Sequence, residues 1–249
     1  MIKLVLIRHG QTTYNRDSRF TGWTDVPLTE RGINEAHKAG KLLKKEGFAF
    51  DIAFTSVLGR AIDTTNIILK EMGLSDIKIT KDWHLNERHY GALQGLNKEE
   101  MAKKFGDEQV LKWRRSYDVR PPALEKNDKR WSGNDAKYKS FNKKNLPLTE
   151  SLKDTIERVV PFWKKEIVPY LKKGKKILIS ASGNSLRGLV KYIDNISSDE
   201  ILKFTVPYGV PIVYELDDEL KPLRRYFLGN PKEIQWIIDE IEGQGKAKK

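Results

Sequence analysis

An apolar run that stops abruptly constrains this chain more than any other feature. Leu4-Val5-Leu6-Ile7 gives way at once to Arg8-His9-Gly10-Gln11. Four apolar residues with β-branched members predict a strand covered on both faces, as in a parallel sheet. Open α/β sheets bind ligands outside the carboxyl ends of their strands. His9 stands at such an end, between a cation and a glycine that lets the backbone come close to a ligand. Taken alone, it serves equally as an anion ligand, a base, a nucleophile, or a loop histidine beside a salt-bridging arginine.

A chain of 249 residues suits one large α/β domain with a sizeable core. The absence of cysteine excludes disulfides, thiol catalysis and thiolate metal sites, and fits a reducing compartment. No apolar stretch approaches the ~18 residues of a membrane span. The sequence opens directly on a strand, so the expectation is a cytoplasmic protein without a leader. The net charge of +12 leaves nucleic acid, an acidic membrane surface, or small anions as partners. The basic residues are spread along the chain and form no basic helix, zinc-finger, homeodomain or RNP pattern. An anion-attracting cleft is therefore preferred, with no nucleic-acid and no membrane partner.

The elements follow in order. A polar loop from 12 to 27 is too long for a simple turn, and such loops are often functional. Thr29 caps a helix to about Glu46, with Ile33, Ala36, Gly40 and Leu43 on one face and Gly47 ending it. Residues 50–54 read as a strand, and Thr55 or Ser56 as the cap of a helix reaching Met72, closed by Gly73. Arg60 then sits in the first turn of a helix starting at a strand's carboxyl end. Exposed N–H groups and a guanidinium fork together suit a phosphate there. A short strand covers 77–80. Asn97 and Asp107 cap two short helices, the second ending at Trp113-Arg114-Arg115. Residues 118–147 hold few aliphatics and read as a surface excursion that cannot form a core of its own. Thr149 starts a helix to about Leu171, bent at Pro161 and Pro169. A strand at 176–181, a turn at 182–185 and a helix from Leu186 repeat the opening pattern. Ser198 caps a further helix, 211–216 and 222–228 form an edge hairpin, and a last helix spans 232–241. The tail from 242 to 249 is expected to be mobile. The predicted fold is a single α/β domain: a mostly parallel central sheet, helices on both faces, and an edge hairpin.

Six blocks now stand in order: Arg8-His9-Gly10; Phe20-Thr21-Gly22-Trp23; Thr55-Ser56-Val57-Leu58 with Arg60-Ala61; Leu85-Asn86-Glu87-Arg88-His89-Tyr90-Gly91 running on to Asn97-Lys98; Trp113-Arg114-Arg115-Ser116-Tyr117; and Gly183-Asn184-Ser185-Leu186-Arg187. Together they resemble the 2,3-bisphosphoglycerate-dependent phosphoglycerate mutases of the histidine phosphatase superfamily, over nearly the whole chain. The resemblance implies interconversion of 2- and 3-phosphoglycerate through phospho-His9, with 2,3-bisphosphoglycerate as the phosphoryl primer and no metal. It implies catalytic roles for Arg8, His9, Arg60, Glu87 and position 182, with Glu87 as general acid and base. It implies substrate contacts from Arg8, His9, Gly10, Gln11, Asn15, Thr21, Gly22, Arg60, Glu87, Arg88, His89, Tyr90, Lys98, Arg114, Arg115, Gly183 and Asn184. It further implies a homo-oligomer, dimer or tetramer, and a site capped by the 98–147 segment and the tail.

One departure matters. The family pattern has His-Gly-Asn-Ser where this chain has Ser182-Gly183-Asn184-Ser185. A serine hydroxyl is shorter than imidazole and carries no charge. Losing one preorganised transition-state donor costs ~10²–10³ in rate. Ser182 thus leaves open a natural variant of reduced activity, a phosphoglycerate binder that does not convert its ligand, and an introduced change. A bisphosphoglycerate phosphatase, with water as acceptor, is the remaining alternative. His84, in place of an arginine, and Tyr208, in place of a threonine, are smaller departures. Tyr208 would either crowd the site or fill space vacated at 182, and His89 is the one histidine with any prospect of rotating in to compensate.

Overall fold

The computed structural model describes residues 1–245. Strand β1 (Ile2–Arg8) leads through the single turn α1 (Thr13–Arg16) to α2 (Glu30–Lys45). Next come β2 (Ile52–Thr55), α3 (Gly59–Met72), β3 (Lys78–Lys81), α4 (Lys98–Phe105) and α5 (Asp107–Arg115). After the excursion come α6 (Leu152–Phe162), α7 (Val168–Lys172), β4 (Ile177–Ala181), α8 (Gly183–Ile193) and α9 (Ser198–Lys203). The hairpin β5 (Pro211–Leu216) and β6 (Pro222–Phe227) precedes α10 (Pro231–Gly243).

The six strands lie in the order β3-β2-β4-β1-β5-β6. The first four are mutually parallel, and the hairpin adds antiparallel to β1. Alternation along β1 sorts its side chains to two cores. Val5 and Ile7 meet Ala36, Leu43 and Ile68 of α2 and α3. Leu4 and Leu6 meet Leu152, Val159, Leu186 and Val190 of α6 and α8. The expected α/β domain with helices on both faces is thus present. No helix among the described residues is long and apolar enough to cross a membrane.

Register decides where the site forms. Arg8 lies opposite Ala181, and Thr55 opposite Ser180, so β1, β4 and β2 end level with one another. The His9 N–H extends the ladder by one bond to the Ala181 carbonyl, at 3.0 Å. The loops after these three strands are thereby brought to one place. Behind them, a Cβ on Gly10 would sit 2.1 Å from the Gly32 carbonyl oxygen. Glycine at position 10 serves this close approach to α2.

Several boundaries differ from the sequence reading, each for a local reason. Ile33 is exposed, while Ala36, Gly40 and Leu43 are buried as expected. Helix α3 starts at Gly59, not after Thr55 or Ser56. Its N-cap Leu58 has no side-chain bond to offer, and Asp25 accepts from the Gly59 N–H at 2.9 Å instead. Asp107 is the first residue of α5, with Gly106 as its cap. Ser151, in a capping box with Asp154, starts α6 in place of Thr149, whose hydroxyl donates to the Pro121 carbonyl. That helix passes through Pro161 and opens into a π turn over Trp163–Ile167 before α7. Helix α8 starts at Gly183, three residues early, and Ser197 rather than Ser198 caps α9. The 118–147 excursion contains only short 3₁₀ turns. It has no independent core, but Tyr138 and Leu146 pack on Trp23 and Trp83. Of the expected mobile tail, Gln244 lines the site described below, Glu242 and Gly243 are exposed, and 246–249 lie outside the described residues.

Candidate active site

His9 is 2% exposed at the end of β1. Its Nδ1 lies 2.8 Å from the Gly10 carbonyl oxygen, which can only accept. The proton therefore sits on Nδ1 and the lone pair on Nε2. Arg60 Nε donates to that lone pair at 3.2 Å. Burial first, then the Arg60 and Arg8 charges, hold the ring's pKa well below the usual histidine value. A neutral imidazole with Nε2 presented to a cationic hollow is the form that can attack phosphorus. Arg60 is fixed by two further bonds, to the carbonyls of Gly22 (2.7 Å) and Thr24 (2.9 Å). Arg8 donates to the Val206 carbonyl at 2.9 Å and stacks 4.2 Å from the centre of the Tyr208 ring. Its other side faces Gly183, where a Cβ would come within 3.2 Å of the guanidinium carbon.

Glu87 lines the same cavity. Its Oε1 accepts from the backbone N–H of Arg88 (2.7 Å) and of Asn184 (3.1 Å), the latter in the first turn of α8. The Asn184 side-chain amide reaches the Tyr90 hydroxyl at 3.4 Å, and its oxygen accepts from Arg187 at 2.9 Å. Asn15 closes the capping box of α1, its amide oxygen committed to Thr12.

Further cations line the same cavity. Lys98, Arg114 and Arg115 come from α4 and α5, and Arg187 from α8. Burial lowers the Lys98 ammonium well below its usual pKa, helped by Arg114, Arg8 and Arg115. Burial and the neighbouring Arg115 bring Arg114 to about 10, and burial and the same neighbour bring Arg187 to about 9. Gln244 stands among these groups. Its Oε1 accepts from Lys98 Nζ at 2.8 Å, its backbone carbonyl accepts from Arg114, and its Nε2 donates to the Asn15 carbonyl at 3.1 Å. The cavity, partly open to solvent, is about 90 Å³. Seven Lys and Arg side chains line it, against the single carboxylate of Glu87.

The structure brings together thirteen of the predicted residues in this lining: Arg8, His9, Asn15, Thr21, Gly22, Arg60, Glu87, Tyr90, Lys98, Arg114, Arg115, Gly183 and Asn184. Five others stand behind it. Gly10 serves the α2 contact, and Gln11 bonds to Glu35 and Thr29. Arg88 is fully buried behind Tyr90, held by the Tyr90 hydroxyl and the Arg114 carbonyl. His89 cannot rotate in. Its Nδ1 accepts from the Gly91 N–H at 3.0 Å and its backbone N–H donates to Glu150. Ser182 is fully buried at the N-cap of α8, its hydroxyl without a hydrogen-bond partner. His84 is likewise outside the cavity, bonded to Asp82 and stacked on Phe162. Tyr208 fills space under Arg8. Residues 118–147 do not reach the cavity, so closure falls to 98–115 and to the Ile241 to Gln244 end. Sequence reasoning did not assign Arg19, Phe20, Arg187, Thr205, Val206, Ile241 or Gln244. The signal for Arg187 was its i,i+3 spacing from Asn184 on one helix face. Among the described residues no group of three or more His, Cys, Asp or Glu is placed to hold a metal.

The fold is shared with solved structures. A mycobacterial glucosyl-3-phosphoglycerate phosphatase superposes with a TM-score of 0.68 at 20% identity, covering 91% of this chain and 97% of the other. The alpha-ribazole phosphatase of Shigella flexneri gives 0.65 at 22% identity, covering 92% and 96%. A phosphoglycerate mutase of Bacillus anthracis gives 0.61 at 22% identity, covering 97% and 96%. At such identities these likenesses speak to the fold alone. The sequence itself carries the family: residues 4–132 match the histidine phosphatase superfamily, branch 1, a stretch longer than half the chain that contains His9, Arg60 and Glu87. Buried imidazole, a carboxylate in the same cavity and the sequence match converge, and the protein belongs to the histidine phosphatase superfamily.

Proposed function

We propose that this protein interconverts 2-phosphoglycerate and 3-phosphoglycerate through phospho-His9, primed by 2,3-bisphosphoglycerate. The observation that carries the reading is the concentration of cations around His9: seven Lys and Arg side chains line one cavity with the single carboxylate of Glu87. A simple phosphomonoester needs few of them. A substrate with a phosphate and a second anionic group engages more.

In this scheme His9 Nε2 attacks a phosphorus of the primer. A P–N bond forms as the ester P–O bond breaks, and the departing alkoxide takes a proton from Glu87. The 3-phosphoglycerate hydroxyl then attacks phospho-His9 and returns its proton to Glu87. The bisphosphate turns over in the site, and the phosphoryl group on the other oxygen goes back to His9. Arg8 and Arg60 stabilise the equatorial oxygens throughout, since positioning and charge carry most of phosphoryl-transfer catalysis. Gln244 accepts from Lys98 and Arg114, so a substrate anion that takes these donors displaces it.

Two rival readings have their own observations. Ser182 contributes no donor to the cavity, which favours a phosphoglycerate binder that does not convert its ligand. Transfer to water, as in a bisphosphoglycerate phosphatase, is the second rival, since the cavity is partly open to solvent. The deciding experiment is a mutase assay on 3-phosphoglycerate with and without 2,3-bisphosphoglycerate, beside release of inorganic phosphate. Turnover dependent on the primer supports the mutase. Phosphate release without isomerisation supports the phosphatase, and binding with neither supports the binder.

A further inference from the structure

Behind the site lies a buried ion pair that the proposed chemistry does not use directly. Arg158 of α6 and Glu150 just before it have side chains only 8% and 5% exposed. Arg158 Nε and Nη2 bond to the two Glu150 oxygens at 2.7 and 2.9 Å. A pair of this kind seldom stabilises a fold more than apolar residues of the same volume would. Its remaining bonds explain its placement, because all of them go to the main chain of one loop. Arg158 donates to the His84 carbonyl at 2.6 Å and to the Glu87 carbonyl at 2.9 Å. Glu150 accepts from the His89 N–H through its side chain, and its backbone N–H donates to the His89 carbonyl, both at 2.8 Å. The Trp23 indole N–H adds a second donor to the Glu87 carbonyl. The guanidinium lies beside both Trp23 and Trp83, 5.6 and 6.0 Å from their ring centres. Neither Glu150 nor Arg158 lines the cavity.

We propose that the Glu150–Arg158 pair is the positioning device for Glu87, fixing the 84–89 loop so that the carboxyl meets the leaving oxygen. The inference rests on the reading of Glu87 as the proton donor. Arg158 and Glu150 hold the backbone on both sides of Glu87, while Arg88 and Asn184 N–H groups hold the carboxyl itself. A catalytic group shifted by ~1 Å can lose ~10² in rate.

The test compares two phosphoryl donors in single-turnover phosphorylation of His9. 2,3-Bisphosphoglycerate leaves as an alkoxide and needs a proton. p-Nitrophenyl phosphate leaves as a stable phenolate and does not. Glu87→Gln sets the benchmark: about a 10²–10⁴-fold loss with the alkyl donor and less than about tenfold with the aryl donor. Arg158→Lys keeps the charge but loses the fork. It is expected to lose about 10–10²-fold with the alkyl donor and within about threefold with the aryl donor. Glu150→Gln, the gentler change, carries the same comparison should Arg158→Lys not fold. Equal losses with both donors, or no loss with either, would overturn the positioning role, since a general structural defect moves both alike. If Glu87→Gln itself slows both donors equally, the proton-donor reading of Glu87 falls and takes this proposal with it.

Discussion

Replacing Ser182 with histidine should raise mutase turnover by about 10²-fold or more, because one preorganised donor is worth ~10²–10³. The structure allows the opposing cost to be worked out. Ser182 is fully buried and its hydroxyl bonds to nothing. Its loss therefore forgoes little of the ~1 kcal/mol that a capping serine usually contributes. The added ring volume enters a packed region, and overpacking of this kind costs about 1–3 kcal/mol. For a chain of this size that lowers Tm by about 2–4 °C per kcal/mol. Gain and cost fall on different observables. The assay is kcat for 3-phosphoglycerate at saturating 2,3-bisphosphoglycerate, with Tm measured on the same preparation. A folded variant whose kcat stays within about threefold of the native chain would refute the reasoning. Another group, with Asn184 or Arg8 the nearest candidates, would then already supply the missing donor.

Other outcomes follow from the same geometry. Gly183→Ala places a methyl against the Arg8 guanidinium, and inorganic phosphate should bind about tenfold more weakly in calorimetry, with Tm nearly unchanged; unaltered affinity would show that Arg8 yields freely. Removing residues 242–249 deletes the Gln244 bonds to Lys98, Arg114 and Asn15. Phosphate release should rise while mutase activity falls, and no change in either would end the closing role given to this segment. Acidification should destabilise the fold through His9 and His89. Burial, then Arg158 and Arg130, bring His89 to about 3, so below ~6.5 the unfolded chain takes up protons that the native ring refuses. Stability is full above that pH and falls from there toward the folded values, by about 1.4 kcal/mol per pH unit for each ring. His89→Asn should remove about half of that slope in urea titrations between about pH 6.5 and 5, and an unaltered slope would contradict it.

The strand ends were legible because burial on both faces writes an unbroken apolar run that polar loops must terminate. Leu4 to Ile7 and the 176–181 run showed this, and the parallel register then brought Arg8, Arg60 and Asn184 together. Side-chain direction within the loops was not legible. Adjacent residues diverge there: His9 faces the cavity while Gly10 and Gln11 turn to α2, and Tyr90 faces it while Arg88 and His89 stand behind. Helix starts were misread where a cap came from afar, as Asp25 does for Gly59. Arg187 was passed over because its charge suggests solvent, and only its i,i+3 spacing from Asn184 pointed inward. Gln244 was hidden because a polar, glycine-flanked tail reads the same whether it is solvated or folded back onto Lys98 and Arg114. The excursion's role was equally silent, since Tyr138 and Leu146 find their partners, Trp23 and Trp83, far away in the chain.

The most direct measurement follows a labelled phosphoryl group. The protein is mixed with radiolabelled 2,3-bisphosphoglycerate, quenched in alkali, and His9 is examined for acid-labile phosphate, before and after a chase with 3-phosphoglycerate. The account predicts label on His9 that the chase transfers to phosphoglycerate faster than it is lost to water, with 2-phosphoglycerate appearing. Label that leaves only as inorganic phosphate, or a His9 that never acquires it, would contradict the mutase.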